Sequence, residues 1–188
     1  MGVTGTIPPE LGNLSFLVEL HFRNNSFHGT IPQELSHLRR PKIFSFGFNN
    51  FKGTIQFPHG SIPREIGNLT KLKLIQLDSN NLREIPNEIG ALNQLVEISV
   101  ENNALEGHLP VAIFNMSSLT ALALTWNSLN GTLPDNICQH LPSIQELYLG
   151  NNQFVGPLRL FHPNYGNAKS LLYYHWGIII SVEAYPKV

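Results

Sequence analysis

Leu119-Thr120-Ala121-Leu122-Ala123-Leu124-Thr125-Trp126-Asn127-Ser128-Leu129-Asn130-Gly131-Thr132-Leu133-Pro134 recurs, with substitutions, along most of the 188-residue chain. Asparagine marks the period. Asn25, Asn49, Asn80, Asn103, Asn127 and Asn152 stand 24, 31, 23, 24 and 25 residues apart. Each follows an apolar pair: Leu20/Phe22, Phe44/Phe46, Ile75/Leu77, Ile98/Val100, Leu122/Leu124 and Leu147/Leu149. Each is followed two positions later by Phe27, Phe51, Leu82, Leu105, Leu129 or Phe154. A glycine turn and Ile-Pro or Leu-Pro then come at Ile31-Pro32, Ile62-Pro63, Leu109-Pro110 and Leu133-Pro134.

Each residue type has a physical role in such a unit. In the apolar pair alternate residues point inward, which is the period of a short strand, and stacked copies make a parallel sheet. An asparagine amide offers donors and an acceptor, so a buried column of them satisfies backbone groups where the chain leaves the strand. Glycine permits the tight turn, and proline opens the helical or irregular back wall where no ladder hydrogen bond is wanted. One unit cannot cover its own apolar side, whereas six stacked units can.

The expected fold is therefore an α/β solenoid, curved and right-handed, with the parallel sheet on its concave face. Strands are expected near residues 18–23, 42–47, 73–78, 96–101, 120–125 and 145–150. At a spacing of about 4.8 Å the sheet is roughly 24 Å along its stacking axis. Residues 1–158 form the repeat domain and residues 159–188 an irregular tail that fits no unit and reads as a truncated terminus, or else as a cap on the last coil. Between Gly53 and Gly60 one unit gains residues 54–60, an insertion expected to bulge from an edge. Pro41 replaces the leucine that opens a strand, which only a first strand position tolerates.

The unit L-x-x-L-x-L-x-x-N-x-L-x-G-x-I-P resembles that of plant leucine-rich-repeat receptor-like kinases and receptor-like proteins. The phrases Ile62-Pro63-Arg64-Glu65-Ile66-Gly67-Asn68-Leu69 and Leu141-Pro142-Ser143-Ile144-Gln145-Glu146-Leu147-Tyr148-Leu149 are similar to the subfamily that holds receptors for bacterial flagellin and elongation-factor peptides. The resemblance implies part of a receptor ectodomain that binds a peptide or protein and recruits a co-receptor ectodomain, in defence or developmental signalling. It also implies a place on the extracellular face of the plasma membrane. The serine/threonine kinase of the family has no counterpart in this sequence: glycine-rich phosphate loop, H-R-D and D-F-G motifs are missing. The competing reading is a soluble inhibitor of a secreted cell-wall-degrading enzyme, similar to the polygalacturonase-inhibiting proteins.

Composition narrows the partners. Charged residues make up 13% of the chain and the formal net charge is −1, so nothing draws it onto nucleic acid or an anionic membrane. The single cysteine, Cys138, can close no intrachain disulfide and reads as a small buried apolar residue. The eight histidines show no metal-ligand spacing, and no cofactor is expected. The longest apolar stretch, residues 171–182, is interrupted by His175 and is too short to span a bilayer. Sequons at Asn13, Asn24, Asn68 and Asn115 fit secretion, and three of them hold the same place in the repeat, on the back wall.

Outward-facing strand residues form columns, the one surface on which several coils act together. One column reads His21, Ser45, Gln76, Ser99, Ala123, Tyr148. The next reads Arg23, Gly47, Asp78, Glu101, Thr125, Gly150, and the third Asn24, Phe48, Ser79, Asn102, Trp126, Asn151. Exposed aromatics anchor interfaces, which singles out Phe48, Trp126 and Tyr148. Asp78 and Glu101 are expected as neighbours, with Glu97 and Gln76 close by. Two carboxylates side by side suit glycoside hydrolysis, but on a shallow open sheet nothing desolvates one acid, so a solvated acidic patch that attracts lysine or arginine is the better reading.

Overall fold

The computed structural model describes residues 2–52 and 62–155, together with the backbone of four short strands between 161 and 181. Six three-residue strands, one per coil, form the concave sheet: β1 (Glu19–His21), β2 (Ile43–Ser45), β3 (Leu74–Gln76), β4 (Glu97–Ser99), β5 (Ala121–Ala123) and β6 (Glu146–Tyr148). They pair in parallel and in sequence order. The strands are about half the expected length, because the residues after them leave the extended conformation for the turn at the asparagine.

The register aligns Leu20, Phe44, Ile75, Ile98, Leu122 and Leu147 in one inward row, none more than 4% exposed. These side chains, with the second apolar residue of each pair and the apolar residues of the back wall, make one continuous core. In the first two coils phenyl rings take the leucine places, and Phe22, Phe27, Phe46 and Phe51 pack with centroids 5.2 to 6.3 Å apart.

The back wall is tighter than an α-helix. Five-residue 3-10 helices span Pro9–Asn13, Gln33–His37, Arg64–Asn68, Asn87–Ala91 and Val111–Asn115. Pro8, Pro32, Pro63, Pro86 and Pro110 open them. A proline there starts the turn with its fixed φ and gives up no N–H that the turn needs. Adjacent coils come so close that a Cβ on Gly12 would stand 2.1 Å from the Glu34 carbonyl oxygen, and one on Gly67 would stand 2.6 Å from that of Glu88. In the fifth coil buried Phe114 takes the glycine place, and the next coil has a short α-helix, Ile137–His140, instead of a 3-10 turn.

Two further parallel sheets, absent from the sequence expectation, line the flank of the solenoid. Thr4–Gly5, Ser26–Gly29 and Asn50–Phe51 form one; Glu106–His108, Ser128–Thr132 and Gln153–Val155 form the other. Each turn after Phe27, Leu105 and Leu129 uses a glycine at positive φ, namely Gly29, Gly107 and Gly131. The third coil has Leu82-Arg83-Glu84-Ile85-Pro86 here, without a glycine, and contributes no strand to either flank sheet. Pro41 is buried ahead of β2, and the ladder is taken up by the Lys42 N–H, which donates to the Val18 carbonyl at 2.7 Å.

The insertion at 54–60 lies outside the described residues. In the tail, β7 (Leu171–Tyr174) and β8 (Gly177–Ser181) form an antiparallel pair, and β8 runs antiparallel to β6 with Ile180 opposite Leu147. The concave sheet thus has eight strands, of which β8 runs against the six repeat strands and β7, beyond it, runs with them.

Candidate ligand-binding face

The turn at the asparagine sets the geometry of the face. Asn49, Asn80, Asn103, Asn127 and Asn152 each donate from Nδ2 to carbonyls two and three residues back and to one carbonyl of the preceding coil. Their Oδ1 atoms accept the N–H groups of Phe27, Phe51, Leu82, Leu105 and Leu129 at 3.0 Å. Asn25 starts the row by accepting from the Val3 N–H at 2.8 Å. The column is aligned as expected but less deeply buried: only Asn80, at 7% exposure, is fully inside, and the others are half-buried.

This turn forces the preceding residue into the left-handed region. Asn24, Phe48, Ser79, Asn102, Trp126 and Asn151 all have φ between 51° and 60°. Asparagine tolerates that conformation, while a bulky side chain is strained in it by about 1–2 kcal/mol. Phe48 and Trp126 are nevertheless 46% and 54% exposed, so neither ring is buried in the core to offset the strain. The Arg23 guanidinium stacks over the Phe48 ring at 4.5 Å, a cation–π contact.

In the first half of the face, polar side chains satisfy one another. Arg23 Nη1 reaches Asp78 Oδ2 at 3.5 Å across the intervening coil. Gly47 leaves it room, since a Cβ there would stand 3.3 Å from the same nitrogen. Asp78 Oδ1 accepts from the Ser99 hydroxyl and from the Glu101 N–H, so Asp78 and Glu101 are neighbours as expected. The carboxylate is engaged on both oxygens and its side chain is only 13% exposed, so it pins three coils together and offers little to a ligand. Gln76 is a link as well: Oε1 accepts from the Ser45 hydroxyl at 3.1 Å and Nε2 donates to Glu97 Oε1 at 3.4 Å. Glu19 and His21 pair at 3.0 Å.

The second half is open. Glu97, Glu101 and Tyr148, with Ser99, Ala121, Ala123 and Glu146, line a shallow hollow of about 240 Å³. The alanines of β5 form its floor, and no lysine or arginine lines it. Burial, then the charge and hydrogen bond of Glu146 and the charge of Glu101, push the Tyr148 phenol above the usual tyrosine range. Of the residues nominated from sequence, Glu97, Glu101 and Tyr148 meet here, and Trp126 lies at the end of β5. Phe48 stands apart on the second coil, and Asp78 and Gln76 are structural links. Glu146 and Ala121 were missed, and Ala123 was placed on the face but not nominated. They share a column with Glu97 or Tyr148, so tabulating the first residue of every strand would have found Glu146.

Asn13, Asn68 and Asn115 each end a 3-10 helix and are exposed, on the first, third and fifth coils, as their repeat position implied. Asn24 is exposed at the end of the first concave strand. Among the described residues no group of three or more histidine, cysteine, aspartate or glutamate side chains is placed to hold a metal ion. Cys138 is buried, and burial raises its thiol above the ordinary range. No described helix is long and apolar enough to cross a membrane.

Two family profiles, both described as leucine rich repeat, match residues 93–154 and 16–38. Cuscuta receptor 1 of Solanum lycopersicum is 32% identical over 87 residues, which are 46% of this chain and 8% of that protein. Among solved structures, the PEPR1–AtPEP1 complex superposes with a TM-score of 0.77 at 37% identity, over 86% of this chain and 22% of that one. The Arabidopsis receptor kinase HAESA, solved with the peptide hormone IDA and the co-receptor SERK1, gives a TM-score of 0.73 at 31% identity, over 80% of this chain and 24% of that one. The chain therefore spans about a quarter or less of the length of these relatives. With its asparagine ladder, proline-opened 3-10 back wall and flank sheets, the chain is a leucine-rich-repeat protein whose solenoid is of the plant receptor-kinase ectodomain type.

Proposed function

We propose that this chain is a ligand-recognition segment of a plant receptor-like serine/threonine kinase, on the extracellular face of the plasma membrane. Its ligand is a peptide with at least one lysine or arginine, and a co-receptor ectodomain joins once the ligand is seated. The supporting observation is the open hollow, where Glu97, Glu101 and Glu146 surround Tyr148 with no cation among the lining residues. Such a surface attracts cationic side chains and repels anionic ones. The solved relatives lend support from outside, since PEPR1 is named with AtPEP1 and HAESA with a peptide hormone and a co-receptor.

The test is binding of synthetic peptides to the secreted 188-residue chain, by calorimetry at low and physiological salt. Arginine-containing peptides should bind more tightly than their glutamate counterparts. The combined Glu97→Gln, Glu101→Gln, Glu146→Gln variant should remove that preference. Equal affinity of the charge-swapped peptides, or no response to the triple substitution, overturns the proposal. Tight inhibition of a secreted polysaccharide hydrolase by the whole face would favour the inhibitor reading.

A further inference from the structure

We infer that Phe48 and Trp126 are the two fixed points of a ruler, selecting an extended peptide whose apolar side chains stand four residues apart. The inference rests on the peptide-binding reading above and specifies the ligand further. Both aromatics occupy the left-handed position before the ladder asparagine, at φ 56° and 60°, where the other four coils carry Asn24, Ser79, Asn102 and Asn151. Asparagine and serine suit that place; phenylalanine and tryptophan do not, and at 46% and 54% exposure neither is there to fill the core. Large rings held in a strained turn with half their surface in solvent are explained by contact with a partner.

Backbone bonds fix the spacing of the row. Phe48 N–H donates to the Asp78 carbonyl, Ser79 N–H to that of Glu101 and Asn102 N–H to that of Thr125, at 2.7, 2.8 and 2.9 Å. Three coil-to-coil steps of about 4.8 Å place the second and fifth coils roughly 14 Å apart. An extended peptide running along the stacking axis advances about 3.3 Å per residue, so four residues cover about 13 Å. Spans of three or five residues approach the length less well and turn the second side chain to the opposite face, because side chains alternate with a period of two. Two residues fall short and six overshoot. The pattern is apolar-x-x-x-apolar. The acidic hollow lies on the fourth to sixth coils, so the basic residue belongs at the Trp126 end.

The test uses the full chain and a series of short Gly/Ser peptides carrying one arginine at an end and two leucines separated by two, three, four or five positions. Four-residue separation should bind at least about tenfold more tightly than three or five, the effect of one anchor gained. Phe48→Asn and Trp126→Asn install the residue that three other coils already carry at this place, so the fold is kept. Each should abolish the spacing preference and bring every two-leucine peptide down to the affinity of a single-leucine one. Equal binding at three, four and five, or a preference that survives either variant, overturns the ruler. If spacing has no effect but the triple glutamine variant still weakens arginine peptides, the ruler alone fails. If neither matters, the peptide-binding reading fails with it.

Discussion

Replacing Asn80 by alanine tests whether the ladder holds the coils together. Asn80 is 7% exposed and makes four hydrogen bonds. Its Oδ1 accepts from the N–H of Phe51, a residue with no exposed surface, and its Nδ2 donates to the carbonyls of Phe46, Leu77 and Asp78 at 3.1 Å each. Truncation strands a buried donor, at about 1–3 kcal/mol, and deprives buried carbonyls of theirs, so the loss should total about 2–4 kcal/mol. Asn25 is half-buried at the start of the row and the residue whose N–H donates to its Oδ1, Val3, is exposed, so water replaces what alanine removes and Asn25→Ala should lose about 0.5–1 kcal/mol. Urea unfolding followed by far-ultraviolet dichroism separates the two. With a slope of about 2 kcal/mol per molar, the Asn80 midpoint should fall by about 1–2 M and that of Asn25 by less than about 0.5 M. Asn80→Asp keeps the acceptor for Phe51 but turns a second oxygen toward three carbonyls, and should be no better than alanine. Equal shifts for Asn25 and Asn80, or an aspartate variant as stable as the parent, would refute the ladder as a cooperative hydrogen-bonded column.

Relief of left-handed strain should make Phe48→Asn and Trp126→Asn each more stable by about 1 kcal/mol, read from the same urea curves; a loss of stability in both would show that the rings are held by packing. The Tyr148 phenol is raised in the folded state, so its share of stability is intact below the ordinary tyrosine value and is lost as pH climbs through the higher folded value. Tyr148→Phe should flatten that alkaline decline and delete one late-titrating phenol from the absorbance titration. Cys138, buried with a raised thiol, should resist alkylation in the native chain and react promptly in urea, as mass spectrometry of the labelled protein would record. Gly12→Ala should destabilise by about 1–3 kcal/mol through the collision with the Glu34 backbone, whereas Gly107→Ala, with open space around it but φ at +78°, should lose about 1 kcal/mol through strain alone.

The interior was legible because it repeats. A leucine that must face inward in every coil leaves a period, and the period places Leu20, Phe44, Ile75, Ile98, Leu122 and Leu147 in one row without knowledge of any distance. What did not repeat was harder to read. Asp78 looked like an exposed acid because its column faces outward; its engagement depends on Gly47 leaving space for Arg23, a relation between three coils that no single unit displays. The flank sheets were missed because their strands are two to five residues long and, as in Glu106–His108, carry at most one or two apolar side chains, too little for a period to register. The α-helical turn at Ile137–His140 was also missed, since its repeat position is the one at which five other coils carry a 3-10 helix.

The division of the concave face follows from one small substitution pattern. Through the first four coils, side chains long enough to cross a 4.8 Å gap meet partners: Arg23 with Asp78, Ser45 with Gln76, Gln76 with Glu97 and Ser99 with Asp78. At the fifth coil the corresponding places hold Ala121 and Ala123, which carry no polar atom and reach nowhere. The network therefore stops. Glu97 and Glu101 on one side and Glu146 and Tyr148 on the other line one hollow with these alanines between them in the strand order. A surface built to be stable by itself would continue the chain of hydrogen bonds; this one ends it where the acids gather. The cross-coil pairing that stiffens the first half and its interruption in the second are two outcomes of the same geometry, and the interruption is what leaves carboxylates available to a cationic ligand.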